Sequence, residues 1–388
     1  MSTSGRTASE DASTASEVAA ALRDVDFVRI VAQADGDALA ASGVLARACT
    51  DVGVPFQVSS TRFPTHHAES RDDKSVVVTV GTTGGDVSLL GRSASVAAYE
   101  AADELGGSPD PVLALAGVVA AGVLPGDDES AHLLDAAGDR LVRRSGVATP
   151  TNDLADGLAH STLVHAGFSG NLEAVQAKLA ELGLPVDLDD DAHRRVASLV
   201  ALSVAGPEGA TPRASDAVER ALRPYELADG PFATLGGYAD VLEAVARELP
   251  GTGVALALGH DARAPVLDAW RDHASAAHAV LHEATTGRYD GLFVARTNDA
   301  PVETAARLLG DFRSPEPIAL VVTDAEAAAV SVDDREPDDP EAGVIGLGNA
   351  MRQAASAVGG DGTGSARRGY ARFDADAKEF LSAFREAL

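Results

Sequence analysis

Apolar positions along the first third of the chain switch period several times. Residues 27–32, 54–59 and 76–80 are short apolar runs bounded by polar or glycine-bearing turns, the pattern of strands buried on both faces. Residues 38–52, 93–105 and 111–122 carry apolar positions at helical spacing. Strands alternating with helices predict a parallel sheet covered on both sides. Helical patterns then dominate from 151 to about 205, including 171–182 and 190–204. Alternation resumes in the second half, with helices over 238–248, 265–284, 302–309, 349–357 and from about 375. Strands are expected there over 254–259, 291–295 and 318–323. Residues 206–236 lose periodicity and gather Pro and Gly, which marks a junction.

At 388 residues the chain exceeds what one hydrophobic core usually serves, so the expected fold class is α/β in two domains. The first 18 residues, rich in Ser, Thr and Ala without an apolar core, are expected to be a disordered tail. A parallel-sheet domain with a helical linker region should follow over 19–205, a linker over 206–235, and a smaller α/β domain over 236–388.

Charge changes the picture. The 59 acidic residues outnumber 31 basic ones, for a net charge of −28, and only Lys74, Lys178 and Lys378 are lysines. Self-repulsion of that size destabilises a compact state unless salt screens it. Acids spread along the whole chain therefore point to a salt-rich cytoplasm, with an acidic partner-binding face as the rival reading. Net charge argues against nucleic acid as a ligand, although local Arg clusters could still bind it. Cys49 is the only cysteine, which excludes an internal disulfide and a thiolate metal site. No apolar run is long enough for a membrane helix, so the expectation is a cytoplasmic protein without membrane partners.

Candidate chemistry centres on Asp35-Gly36-Asp37, at the carboxyl end of the first strand, where open α/β sheets form ligand sites. Alternate carboxylates in a glycine-bearing loop can face one hard cation such as manganese or magnesium. The same residues equally suit a turn in which Asp37 caps the next helix. A second candidate is the segment 358–370. There Gly359, Gly360 and Gly362 could bring backbone N–H groups to a phosphate, Arg367 and Arg368 could add charge, and Tyr370 a stacking face. A surface loop is the plainer reading. His278 and His282, four apart on a helix with His273 before them, lack a completed ligand set and read as a solvated helix face. Asp153 and Asp156 suit the dipole of a helix start. His66 and His67 fall in a polar loop, and residues 333–341 read as an acidic surface loop.

The strand, the Asp35-Gly36-Asp37 loop and the helix after it resemble the first motif of the DHH phosphoesterase superfamily, in its RecJ-like branch. The resemblance runs from about residue 26 to the C-terminus. It implies an N-terminal DHH-like domain and a C-terminal DHH-associated domain opening near Gly236, with 358–370 in the place of its nucleic-acid-contacting glycine signature. It also marks departures. Gln33 stands where the family has histidine, Gly81 where a metal-bridging acid belongs, and Gly122 where the last acid belongs; 82–92 contains no histidine, and Asp86 is its only acid. What the resemblance then implies is a catalytically degenerate protein that requires no cofactor and keeps at most a weakly bound manganese or magnesium ion at Asp35 and Asp37. Such a protein would act as a scaffold or guide for single-stranded DNA or RNA, with GINS and MCM as partners in a replicative helicase assembly. Two alternatives stay open: an active metal-dependent single-strand exonuclease, and an interaction protein of DNA repair or RNA turnover.

Overall fold

The computed structural model describes residues 12–23, 25–64, 75–127, 129–185, 188–207, 210–332 and 346–388. Most of the tail expected over 1–18, the His66-His67 pair and the acidic loop over 333–341 lie outside the described residues. The part of the tail that is described is not a tail. Helix α1 (Ala15–Arg23) buries Val18, Ala19 and Leu22.

Strand β1 (Phe27–Gln33) leads into α2 (Gly36–Val52), then β2 (Phe56–Thr61), β3 (Ser75–Val80) and β4 (Val87–Leu89). These four strands form a parallel sheet in the order β2-β1-β3-β4, with Ile30 opposite both Val58 and Val78. Helices α3 (Ala94–Leu105), α4 (Pro111–Ala120) and α5 (Ala131–Ala137) follow, then β5 (Leu141–Arg143) and α6 (Leu154–His160). Next come α7 (Leu172–Glu181), α8 (Asp190–Ala205), α9 (Pro212–Ala221) and β6 (Tyr225–Leu227), which pairs antiparallel with β5. After α10 (Leu235–Glu248) and α11 (Pro250–Ala257), the 21-residue α12 (Arg263–Glu283) leads to β7 (Thr285–Tyr289) and β8 (Leu292–Arg296). The chain closes with α13 (Val302–Phe312), β9 (Ile318–Val322), β10 (Glu326–Ser331), α14 (Leu347–Ala357), β11 (Asp361–Gly364), β12 (Arg368–Arg372) and α15 (Ala377–Ala387).

Two compact units result. Unit 1 comprises Met1–Gly157 and Arg223–Arg271, and unit 2 comprises Leu158–Leu222 and Asp272–Leu388. The division differs from the expected junction over 206–235: α10 and α11, assigned by sequence to the second domain, belong to unit 1. Their apolar faces, through Val241, Leu242, Val245 and Leu256, share one core with Leu39, Leu45, Leu113 and Leu115. The strand expected over 254–259 is also corrected, since α11 is helical there. Pro250 at its first position presets the helical backbone, and Ala257 packs directly on Gly43 of α2.

Unit 2 carries a six-stranded mixed sheet in the order β11-β12-β10-β9-β8-β7, parallel only between β8 and β9. One face packs on α14 and α15, where Phe373 and Phe380 stack at 4.2 Å between ring centroids. No helix among the described residues is long and apolar enough to cross a membrane.

Candidate functional site

The Asp35-Gly36-Asp37 loop joins β1 to α2. Asp35 is extended (φ −139°, ψ 167°) and caps α2, its Oδ1 accepting from Ala38 N at 2.8 Å. Asp37 sits in the first turn of α2, yet its carboxylate serves another helix. Oδ1 accepts from Ser93 Oγ (2.8 Å) and Ser95 N (3.0 Å), and Oδ2 accepts from Ala94 N (2.6 Å). Ser95 Oγ donates in turn to the Asp37 carbonyl at 3.0 Å. Ser93 occupies the cap position of α3 but makes no cap bond of its own. Asp37 therefore satisfies the first N–H groups of α3 in its place, with the helix dipole favouring the negative charge.

A third acid, overlooked at the sequence level, comes from α10. Glu243 Oε2 accepts from Gly36 N at 2.7 Å, and Glu243 Oε1 pairs with Arg247 at 2.9 Å, the two side chains only 12% and 5% exposed. An i,i+4 Glu–Arg pair in a helix otherwise apolar on that side was the available signal. Burial, then the charges of Glu243 and Asp37, push the Asp35 carboxyl up to about 7 against the opposing Ala38 N–H and Arg247. Burial also raises Asp37, against the hydrogen bonds from Ser95, Ser93 and Ala94.

The structure also places the residues at which the resemblance predicted lost ligands. A Cβ on Gly81 would lie 3.1 Å from Gln33 Cβ and 3.9 Å from Asp35 Oδ2, so the end of β3 does adjoin the loop. Gly81 has φ +75°, a conformation that suits glycine and disfavours most side chains. A Cβ on Gly122 would meet nothing within 4 Å. Gln33 Nε2 donates to the Arg62 carbonyl at 3.4 Å, and Asp86 Oδ2 accepts from Val77 N at 2.9 Å. Among the described residues, no group of three or more His, Cys, Asp or Glu is arranged to hold a metal ion. With both Asp37 oxygens engaged by α3 and a guanidinium near Asp35, this donor set does not fit a catalytic metal pair.

The glycine-rich segment is not a loop. It forms the hairpin β11–β12 at the sheet edge. Gly359 N and Gly360 N donate to Ser356 O (3.3 Å) and Ala355 O (2.7 Å), closing the end of α14. A Cβ on Gly360 would meet Arg372 O at 2.2 Å, and one on Gly362 would meet Met351 O at 2.5 Å. These glycines allow close backbone packing, and the N–H groups of Gly359 and Gly360 are already engaged in the helix cap. The stacking face expected of Tyr370 is likewise corrected: the ring is 4% exposed and its hydroxyl donates to Glu326 Oε1 at 2.8 Å. Arg367, Arg368 and Arg372 are exposed.

The α12 histidines do not share a solvated face. His273 and His278 are buried, and His282 is exposed. Asp153 Oδ1 accepts from Ala155 N and Asp156 N, as a helix start requires, and Asp156 holds Arg271 through two bonds of 2.9 and 3.0 Å.

Comparison with known proteins places this geometry. The family profile described as "Uncharacterized protein rrnAC1427, C-terminal domain" matches residues 284–386. Over 395 residues, covering all of both chains, the sequence is 50% identical to the uncharacterized protein rrnAC1427 of Haloarcula marismortui. The fold superposes on CDC45 from Entamoeba histolytica with a TM-score of 0.58, covering 96% of this chain and 97% of that one, at 9% identity. An exonuclease RecJ bound to manganese matches with a TM-score of 0.49 and 17% identity, covering 97% of this chain and 93% of that one. The likeness is one of fold, shared with CDC45 over nearly the whole of both chains.

Proposed function

The chain belongs to the family of the uncharacterized protein rrnAC1427, and on that premise we propose that it is a catalytically silent RecJ-like protein, a scaffold that guides single-stranded nucleic acid within a replicative helicase assembly containing GINS and MCM. One observation carries the reading: both oxygens of Asp37 hold the first turn of α3. A carboxylate that spends three of its four lone-pair sites on a helix terminus has at most one left, too few to bridge a metal pair. Glu243 supports the same reading, because its two oxygens are already engaged by Gly36 N and Arg247. The fold likeness to CDC45 agrees with a replication role. Exposed Arg367, Arg368 and Arg372 on the hairpin would follow a phosphate backbone by charge.

A second reading, a metal-dependent single-strand exonuclease, is favoured by Asp35. A carboxyl raised to about 7 is a proton donor and acceptor near neutrality, and such groups concentrate at functional sites. The deciding experiment measures single-strand degradation with manganese at molar salt for the wild type and for Asp35→Asn. Silence of both supports the scaffold; activity of the wild type that Asp35→Asn abolishes establishes the nuclease. Binding of purified GINS and MCM to the full chain tests the partners. Failure of both to bind would leave the repair or RNA-turnover role in their place.

A further inference from the structure

Unit 2 contains a cluster of titratable side chains that the proposed function does not use. The His165 ring lies 5.3 Å from that of His278 and 4.9 Å from that of His282, with Phe312 at 6.2 Å. His165 is 5% exposed and His278 fully buried, whereas His282 reaches solvent. The partners of these rings fix their tautomers. His278 Nε2 faces the Ser161 carbonyl at 3.1 Å, and a carbonyl only accepts, so Nε2 carries the proton and Nδ1 is bare. His278 Nδ1 lies 3.1 Å from His165 Nδ1, which must therefore be the donor. His165 Nε2 is left as a bare acceptor, buried and without a hydrogen-bond partner. His282 Nε2 donates to the Ser169 carbonyl at 3.0 Å by the same logic.

The His165–His278 pair has no place for another proton. Protonating His278 sets an N–H on Nδ1 against the N–H of His165, and protonating His165 buries an Nε2–H with nothing to accept it. The groups whose charge acts on the pair are His160 at the end of α6, His282 on α12, Arg307 on α13 and Arg313 just after it, and none is an acid. We infer that the His165–His278–His282 network is an acid-sensitive latch, which in its neutral form fastens the segment 161–170 to α12 and which an added proton releases. Burial foremost, then the neighbouring positive groups, hold His165 far below the usual histidine range, to about 2; burial likewise holds His278 to about 3.

Nitrogen-15 NMR of the histidine-labelled full chain at molar salt tests the network. The expected signals are Nδ1–H for His165 and Nε2–H for His278, both neutral down to about pH 5.5 while the protein stays folded. Amide hydrogen exchange of 161–170, corrected for the intrinsic rate, should accelerate on acidification ahead of the rest of unit 2. The expected gain approaches about tenfold per pH unit below about 6.5 for each ring that must charge on opening. His165→Phe should flatten that response. An imidazolium signal from His165 or His278 in the folded protein near pH 6 overturns the latch, as does an equal acid response in wild type and His165→Phe. If His165→Phe does not fold, the wild-type tautomer signals still decide.

Discussion

Replacing Asp37 by alanine separates an anchoring role from a catalytic one more sharply than any activity assay. The substitution removes three hydrogen bonds, to Ser93 Oγ, Ala94 N and Ser95 N, and leaves two helix-terminal N–H groups without their acceptor. Hydrogen bonds to a charged group each contribute about 1.5–3 kcal/mol, and losing a cap costs about 1 kcal/mol. The three bonds share one carboxylate and do not add fully, and burial has already raised that carboxyl, which offsets part of the loss. The expected net cost is about 2–4 kcal/mol, concentrated in the first turn of α3. Chemical denaturation at molar salt measures the total, and hydrogen exchange at Ala94 and Ser95 locates it. Asp37→Asn, which keeps one acceptor oxygen, should lie between alanine and wild type. A residue strained for catalysis behaves in the opposite way, because its removal relieves charge repulsion. If Asp37→Ala leaves stability unchanged or raises it, the anchoring argument fails.

Asp35→Asn should stabilise the protein at alkaline pH. Asp35 is raised to about 7 in the fold, so its contribution to stability is present at low pH and is lost as pH rises toward 7. With solvent and coupling discounted, the gain from Asn near pH 8 is about 1–3 kcal/mol and should vanish below about pH 4, as a pH series of melting curves would register. On the hairpin, the Arg367→Ala, Arg368→Ala double variant should weaken single-strand binding and reduce its logarithmic salt slope by about 1–2. Tyr370→Phe should cost about 1 kcal/mol of stability, since the hydroxyl holds Glu326; Tyr370→Leu, which removes the ring, should leave binding by the folded protein unchanged, and weaker binding there would restore the stacking role. The −28 charge predicts that the midpoint of thermal unfolding rises steeply as salt goes from about 0.1 M toward molar. A flat salt response would refute salt adaptation.

Helices and strands were legible wherever the chain kept one period long enough. The first strand, the loop and α2 could be read because an apolar run ends at two aspartates and a 17-residue alanine-rich helix begins there. The segment 254–259 misled for a physical reason: a run of six apolar and small residues looks alike as helix or strand. The hairpin β11–β12 was read as a loop because its glycines, which normally mark turns, here let two backbones and α14 approach closely.

By itself the amino-acid sequence determined the α/β class and the DxD loop at the end of the first strand. These depend on local period and residue type. Tertiary structure decided what the groups of that loop do. Ser93–Ser95 lie 56 to 58 residues from Asp37, and Glu243 lies 207 residues from Gly36. His165 and His278 are separated by 113 residues. Partners that far apart leave no periodic trace in the chain, because a hydrogen bond depends on distance in space and not on spacing in sequence. Whether an aspartate holds a metal or a helix, and whether a histidine faces water or another imidazole, is therefore settled only when the chain folds.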